Sequence, residues 1–164
     1  DEKLIPDGHK WMRAIVAGTT FQDIMDLSLF YDQESRKFSE HGYIGLYKDK
    51  SIRAIGKLKK TIIAVEVEGK MTYRAESGEA PTPDEICRIN EAIRRAEDYG
   101  YNLRTISHRY FMVEKFYPID FRKSSKNPIQ KSKFFNLADM FGYKTMPDTE
   151  KIAADLNGRT WEEF

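Results

Sequence analysis

The sequence predicts an α+β protein with a small mixed or antiparallel curved sheet, or pseudo-barrel, flanked by helices. Three observations carry this. Strand-type residues fall in two blocks, a strongly capped helix stands between the blocks, and a second helical pattern closes the chain. Apolar residues make up 40% and aromatic residues 13%, enough for a core in a chain of 164 residues. That length fits a single domain over residues 1–164: a helical N-terminal segment 1–42, a strand-rich core 43–137 and a helical tail 138–164.

Element by element, Phe21, Ile24, Met25 and Leu29 repeat at helical spacing, with Thr20 placed to cap them, and predict a helix over 20–30. Residues 31–41 are polar and aperiodic and read as a loop. Residues 43–47, 51–57 and 61–67 favour three antiparallel strands divided at 48–50 and 58–60. A turn at Gly69 leads into 71–74. Thr82-Pro83-Asp84-Glu85 combines an N-cap, proline at the first helical position and the glutamate of a capping box. Ile86, Ile89, Ile93 and Ala96 continue it as one stripe, ended by Gly100. Residues 102–106, 110–116 and 134–137 are strand candidates. Residues 148–156 read as a terminal helix stopped by Asn157-Gly158.

The single cysteine, Cys87, excludes an internal disulfide and a four-cysteine zinc site; its place in an apolar-striped helix predicts a packing role. His9, His41 and His108 are scattered, so neither a metal centre nor a bound cofactor is expected. With no run of 18 apolar residues and no basic-apolar leader, a soluble cytoplasmic protein without a membrane partner is expected. Because it begins at Asp1, the chain reads as a processed product or a piece of something longer.

Net charge is +1, from 27 basic and 26 acidic side chains, yet the charge is segregated. Residues 43–63 and 109–133 each carry +5, while 1–42, 64–108 and 134–164 each carry −3. If both basic blocks share a sheet, Lys48, Lys50, Arg53, Lys57, Lys59 and Lys60 join Arg109, Lys115, Arg122, Lys123, Lys126, Lys131 and Lys133 in a positive face for DNA or RNA. The competing reading is lysines on solvated turns and edges, where they suppress aggregation. The stretch 121–135 is the sharpest local feature. Its backbone amides and the Ser124 and Ser125 hydroxyls suit phosphate oxygens, among cations that supply sequence-independent attraction. Tyr117 and Trp161 lie in polar surroundings and are the candidates for stacking on a base.

The block 43–57 (Tyr43-Ile44-Gly45-Leu46-Tyr47 through Ile55-Gly56-Lys57), with Arg109-Tyr110-Phe111-Met112-Val113, Pro118-Ile119 and Phe135-Asn136-Leu137 after the capped helix, resembles the PUA-like superfamily of EVE, ASCH and YTH domains. The resemblance covers about residues 43–137. It implies a helix-flanked pseudo-barrel that binds RNA or DNA, reading a modified or flipped-out base in an aromatic pocket. It also implies service as a recognition module beside a fused or associated nuclease or motor in restriction and defence systems.

Two other functions are open at this point. Glu66, Glu68 and Lys70 end an apolar strand as Glu-x-Lys, the second half of a magnesium-dependent nuclease signature; two apart on one strand, they would share a face. Glu-x-Lys also arises by chance on solvated strand ends. A protein-interaction module, with acidic and basic stripes meeting a partner chain, is the third reading. No Ser-His-Asp set, paired Cys-His or phosphate-cradling glycine loop is present, so the binding module leads.

Overall fold

A computed structural model describes residues 7–126 and 132–164. Its elements confirm the α+β class. The strands are β1 (Trp11–Val16), β2 (Leu29–Gln33), β3 (Tyr43–Lys48), β4 (Ser51–Val67), β5 (Lys70–Ser77), β6 (His108–Arg122) and β7 (Lys133–Asn136). The helices are α1 (Phe21–Leu27), α2 (Pro83–Asp98), α3 (Leu137–Phe141) and α4 (Thr149–Leu156). The strands form one mixed sheet in the order β2-β6-β4-β3-β1-β7, with β5 paired to β4. No helix among the described residues is long and apolar enough to cross a membrane.

The described residues divide into two compact units, one of residues 7–21, 39–58, 115–126 and 132–164, the other of residues 22–38 and 59–114.

In the first unit, β1 lies parallel to β3 (Met12 opposite Tyr43) and antiparallel to β7 (Met12 opposite Phe135). Its core joins Met12, Tyr47, Ile52, Phe121 and Phe135 to Leu137 of α3, Ile152 and Leu156 of α4, and Trp161. The sequence reading missed β1 because Met12, Ala14 and Ile15 are all buried. Paired on both edges and buried through its middle, the strand shows no apolar–polar alternation, because its one polar side chain, Arg13, is itself only 8% exposed. His41 is also buried in this unit, its Nδ1 2.8 Å from the Ser39 carbonyl oxygen. Burial lowers its pKa to about 4 from the ordinary 6.5, against the pull of that hydrogen bond. A folded pKa below the unfolded one means that the unfolded chain takes up the proton first as pH falls below 6.5. Stability is therefore expected to fall by about 2 kcal/mol between pH 7 and pH 5. Urea midpoints across that range check this, with His41→Gln expected to flatten the slope.

In the second unit, α2 lays Ile89, Ala92, Ile93 and Ala96 against Ile62 and Ala64 of β4 and Tyr110 and Met112 of β6. The capping box is present: Thr82 Oγ1 accepts from the Glu85 N–H at 3.2 Å, and Glu85 Oε1 accepts from the Thr82 N–H at 2.9 Å. Cys87, assigned to packing from sequence, is exposed, on the side of α2 away from the buried stripe.

Several expected boundaries move. The first helix stops at Leu27, because Ser28 turns to φ 53° and starts β2, which pairs with β6 where a loop was expected. Residues 58–60 are not a turn but the middle of the 17-residue β4, having neither Gly nor Pro to break it. Residues 102–106 are not a strand: Asn102 Oδ1 accepts from the backbone N–H groups of Arg104 (2.9 Å) and Thr105 (3.3 Å), closing a side-chain turn.

Candidate nucleic-acid interface

The first basic segment is a hairpin. Lys48 and Ser51 pair across the two-residue turn Asp49-Lys50, whose φ values of 52° and 61° are those a tight hairpin demands. Aspartate tolerates this region better than lysine, and Arg53 braces the turn by donating to the carbonyls of Lys48 (Nε, 3.0 Å) and Asp49 (Nη2, 3.1 Å). With its backbone tied in this way, the turn holds Lys48 exposed beside Lys50.

The second basic segment comes to the same place. As β6 ends, the Lys123 N–H donates to the Lys50 carbonyl at 2.8 Å, a backbone bond between the two +5 segments. Beneath it, Asp120 accepts from the Ser51 hydroxyl at 2.6 Å and lies 3.6 Å from Arg53 and 3.4 Å from Arg122. The Ser51 hydroxyl bond, with Arg122 and Arg53 behind it, holds the Asp120 carboxyl below the usual carboxylate range against its partial burial. One fixed carboxylate thus organises two arginines at the join. Lys48, Arg122, Ser124, Ser125, Lys126 and Lys133 are exposed, Lys123 is half-buried with its Nζ on Ser125 Oγ, and Lys57, also exposed, lies at the other end of the hairpin, opposite Tyr43. Lys131 lies outside the described residues.

Three sequence assignments change. Arg109 is in the second unit and is already engaged: its guanidinium binds both Glu76 oxygens (2.7 and 2.8 Å), lies over the Phe38 ring at 4.9 Å and donates to the carbonyls of Glu34 and Arg36. Glu76 is correspondingly lowered by the Arg109 hydrogen bonds. Trp161 is not a free stacking face. It is 5% exposed, packs on Phe135 (centroids 4.9 Å apart) and Tyr47, and spends its N–H on the Phe121 carbonyl. Lys133 Nζ caps the ring at 5.1 Å. Glu66, Glu68 and Lys70 do not share a strand: β4 ends at Val67, Glu68-Gly69 is a hairpin turn at φ 52° and 80°, and Lys70 begins β5 opposite Val67. Among the described residues no three metal-binding side chains cluster. Tyr117 stays half-buried, with Lys115 Nζ 5.1 Å from its ring centre.

Two features escaped the sequence. In the second unit, Tyr31, Tyr101, Leu103 and Ile106 wall a cavity of about 390 Å³ together with Gln33, Arg36 and His108. Its aromatic residues sit 70 positions apart, and no spacing links them. In the first unit, Glu162 reaches the Ser124 loop, although it belongs to the net-acidic segment 134–164 and not to either basic block.

No family model matches the chain, and no curated protein matches it. Among solved structures, it is similar to the ASCH protein from Zymomonas mobilis, at 10% identity over 91% of this chain and 97% of that one, with a TM-score of 0.48. A single-residue mutant of that protein aligns at 12% identity over 84% of this chain and 96% of that one, with a TM-score of 0.47. ASCH is among the domain types named above for residues 43–137.

Proposed function

We propose that this chain is a PUA-like recognition module that binds DNA or RNA through the first unit's hairpin and strand exit, without catalysis. The observation that carries the reading is the Lys123–Lys50 backbone bond, which merges two basic segments that are about 70 residues apart in sequence. Converging cations beside the exposed Ser124 and Ser125 suit phosphodiester contacts, which position a strand and make its binding salt-dependent. The finer reading is that a modified or flipped-out base is recognised. The second unit's cavity supports it: two tyrosine rings offer stacking surfaces, and Gln33 and His108 offer edge contacts, in a volume within the roughly 300–1,000 Å³ usual for ligand pockets. Such a module would serve an adjoining nuclease or motor, as the resemblance implies for restriction and defence systems.

Fluorescence-anisotropy titrations with short single- and double-stranded DNA and RNA over a salt series test this. Replacing Arg122, Lys123 and Lys126 together by glutamine is expected to weaken binding to all sequences alike and to flatten the log-log salt slope by about two units. An unchanged slope removes the strand exit from the interface. Tyr101→Ala is expected to alter preference among bases with the slope intact, and equal affinities before and after would exclude the cavity.

A further inference from the structure

The C-terminal segment runs alongside the end of β6. The Gly158 N–H donates to the Asp120 carbonyl (2.8 Å), the Arg122 N–H donates to the Arg159 carbonyl (3.1 Å), and Arg122 and Thr160 form a parallel bridge. Trp161, sunk in the core and bonded to the Phe121 carbonyl, sets the register, so the next residue, Glu162, arrives at the Ser124 loop. There Glu162 Oε1 accepts from the Ser124 backbone N–H at 2.8 Å and from the Ser124 hydroxyl. An amide and a hydroxyl converging on one anionic oxygen are donors of the kind that phosphate oxygens accept from.

The neighbouring carboxylates are held differently. Asp120 is bound by Ser51 with Arg53 and Arg122 close by, and Glu163 by Thr160 and Arg159. Glu162 has no ion pair among the described residues; neutral donors of the loop hold it, and Lys123 and Lys126 flank those donors in the chain.

We propose that the Ser124 amide and hydroxyl form a phosphate-binding site in which the Glu162 carboxylate is the resident anion, so that a nucleic-acid phosphodiester binds by displacing it. This rests on the nucleic-acid reading above and adds a subsite and a competitor to it. The exchange is favourable because the phosphodiester brings further contacts along its strand, which a single carboxylate lacks. Inorganic phosphate and small phosphate esters, lacking those contacts, compete poorly with an anion tethered to the chain.

The test uses the whole chain in three forms: wild type, Glu162→Ala, and Glu150→Gln. The last removes an exposed carboxylate of α4 and controls for net charge alone. In anisotropy titrations with labelled single-stranded DNA and RNA, Glu162→Ala is expected to bind about tenfold more tightly, with a salt slope steeper by about 0.7–0.9. Glu150→Gln is expected to change affinity less than twofold. Adding Ser124→Ala to Glu162→Ala is expected to remove most of the gain. Salt-dependent binding by the wild type with no gain in Glu162→Ala, or an equal gain in Glu150→Gln, overturns the displacement while leaving the nucleic-acid reading intact. Absence of binding in all forms overturns that reading instead. The phosphate site then stands or falls on a second measurement: in ¹⁵N-labelled Glu162→Ala, the Ser124 amide resonance is expected to shift saturably with inorganic phosphate, more weakly in wild type. No saturable shift overturns the site.

Discussion

Trp161→Ala is expected to destabilise the first unit by about 3–5 kcal/mol, the range for truncating a large buried aromatic residue. The indole fills the space between Phe135, Tyr47 and Phe121, all of them buried. Alanine would leave a cavity there and take the donor from the Phe121 carbonyl, which the indole N–H meets at 2.9 Å. Because the ring also sets the register of the C-terminal segment, residues 158–164 should loosen before the rest of the unit, with faster amide exchange at Arg122 and Gly158. Urea unfolding and hydrogen exchange check both effects. The contrasting outcome, an unchanged urea midpoint with altered preference among bases, would return Trp161 to the role its sequence surroundings suggested.

Lys60→Met is expected to cost the second unit about 3–5 kcal/mol, since it strands a buried carboxylate. Lys60 and Glu85 are 4% and 2% exposed, with Nζ and Oε1 2.9 Å apart, and Nζ also donates to the Ala80 carbonyl at 3.3 Å. Burial pushes the Glu85 carboxyl upward, but the Thr82 amide and the Lys60 ammonium outweigh it and hold the pKa below the ordinary value. With Lys60 gone, the burial effect remains and Glu85 would take up a proton at higher pH. Adding Glu85→Gln, which removes the charge and keeps an acceptor for the Thr82 N–H, is expected to restore more than half of the loss. A double variant no more stable than Lys60→Met alone would show that the ion pair is not what secures the start of α2. Thermal unfolding of the two variants at pH 7 decides this.

Features that depend on neighbours in sequence were legible. The capping box of α2 uses Thr82, Pro83 and Glu85 within one turn, and the hairpin 48–51 needs only a short turn between strand-forming residues. Segregation of charge was also plain, because it is a property of position along the chain. What failed depended on distant partners. Trp161 sits among polar residues in sequence, but Tyr47, Phe121 and Phe135, from three strands, pack against it in space. Lys60 reads as one more exposed cation until Glu85, 25 residues away, meets it in the core. Arg109 belongs by sequence to a basic segment, yet Glu76 and Phe38 absorb its charge and its face. The Glu-x-Lys motif assumed an uninterrupted strand, and a two-residue turn with Gly69 in the left-handed region divides it.

The sequence by itself determined the α+β class, the limits of the best-capped helix and the two segments in which positive charge is concentrated. Each follows from local periodicity, capping chemistry or composition. Only the tertiary structure decided which cations remain exposed, which aromatic rings are core, and that Glu162 lies on the Ser124 donors. Those outcomes depend on burial and on pairing between residues tens of positions apart, and side-chain type carries no record of its eventual partner.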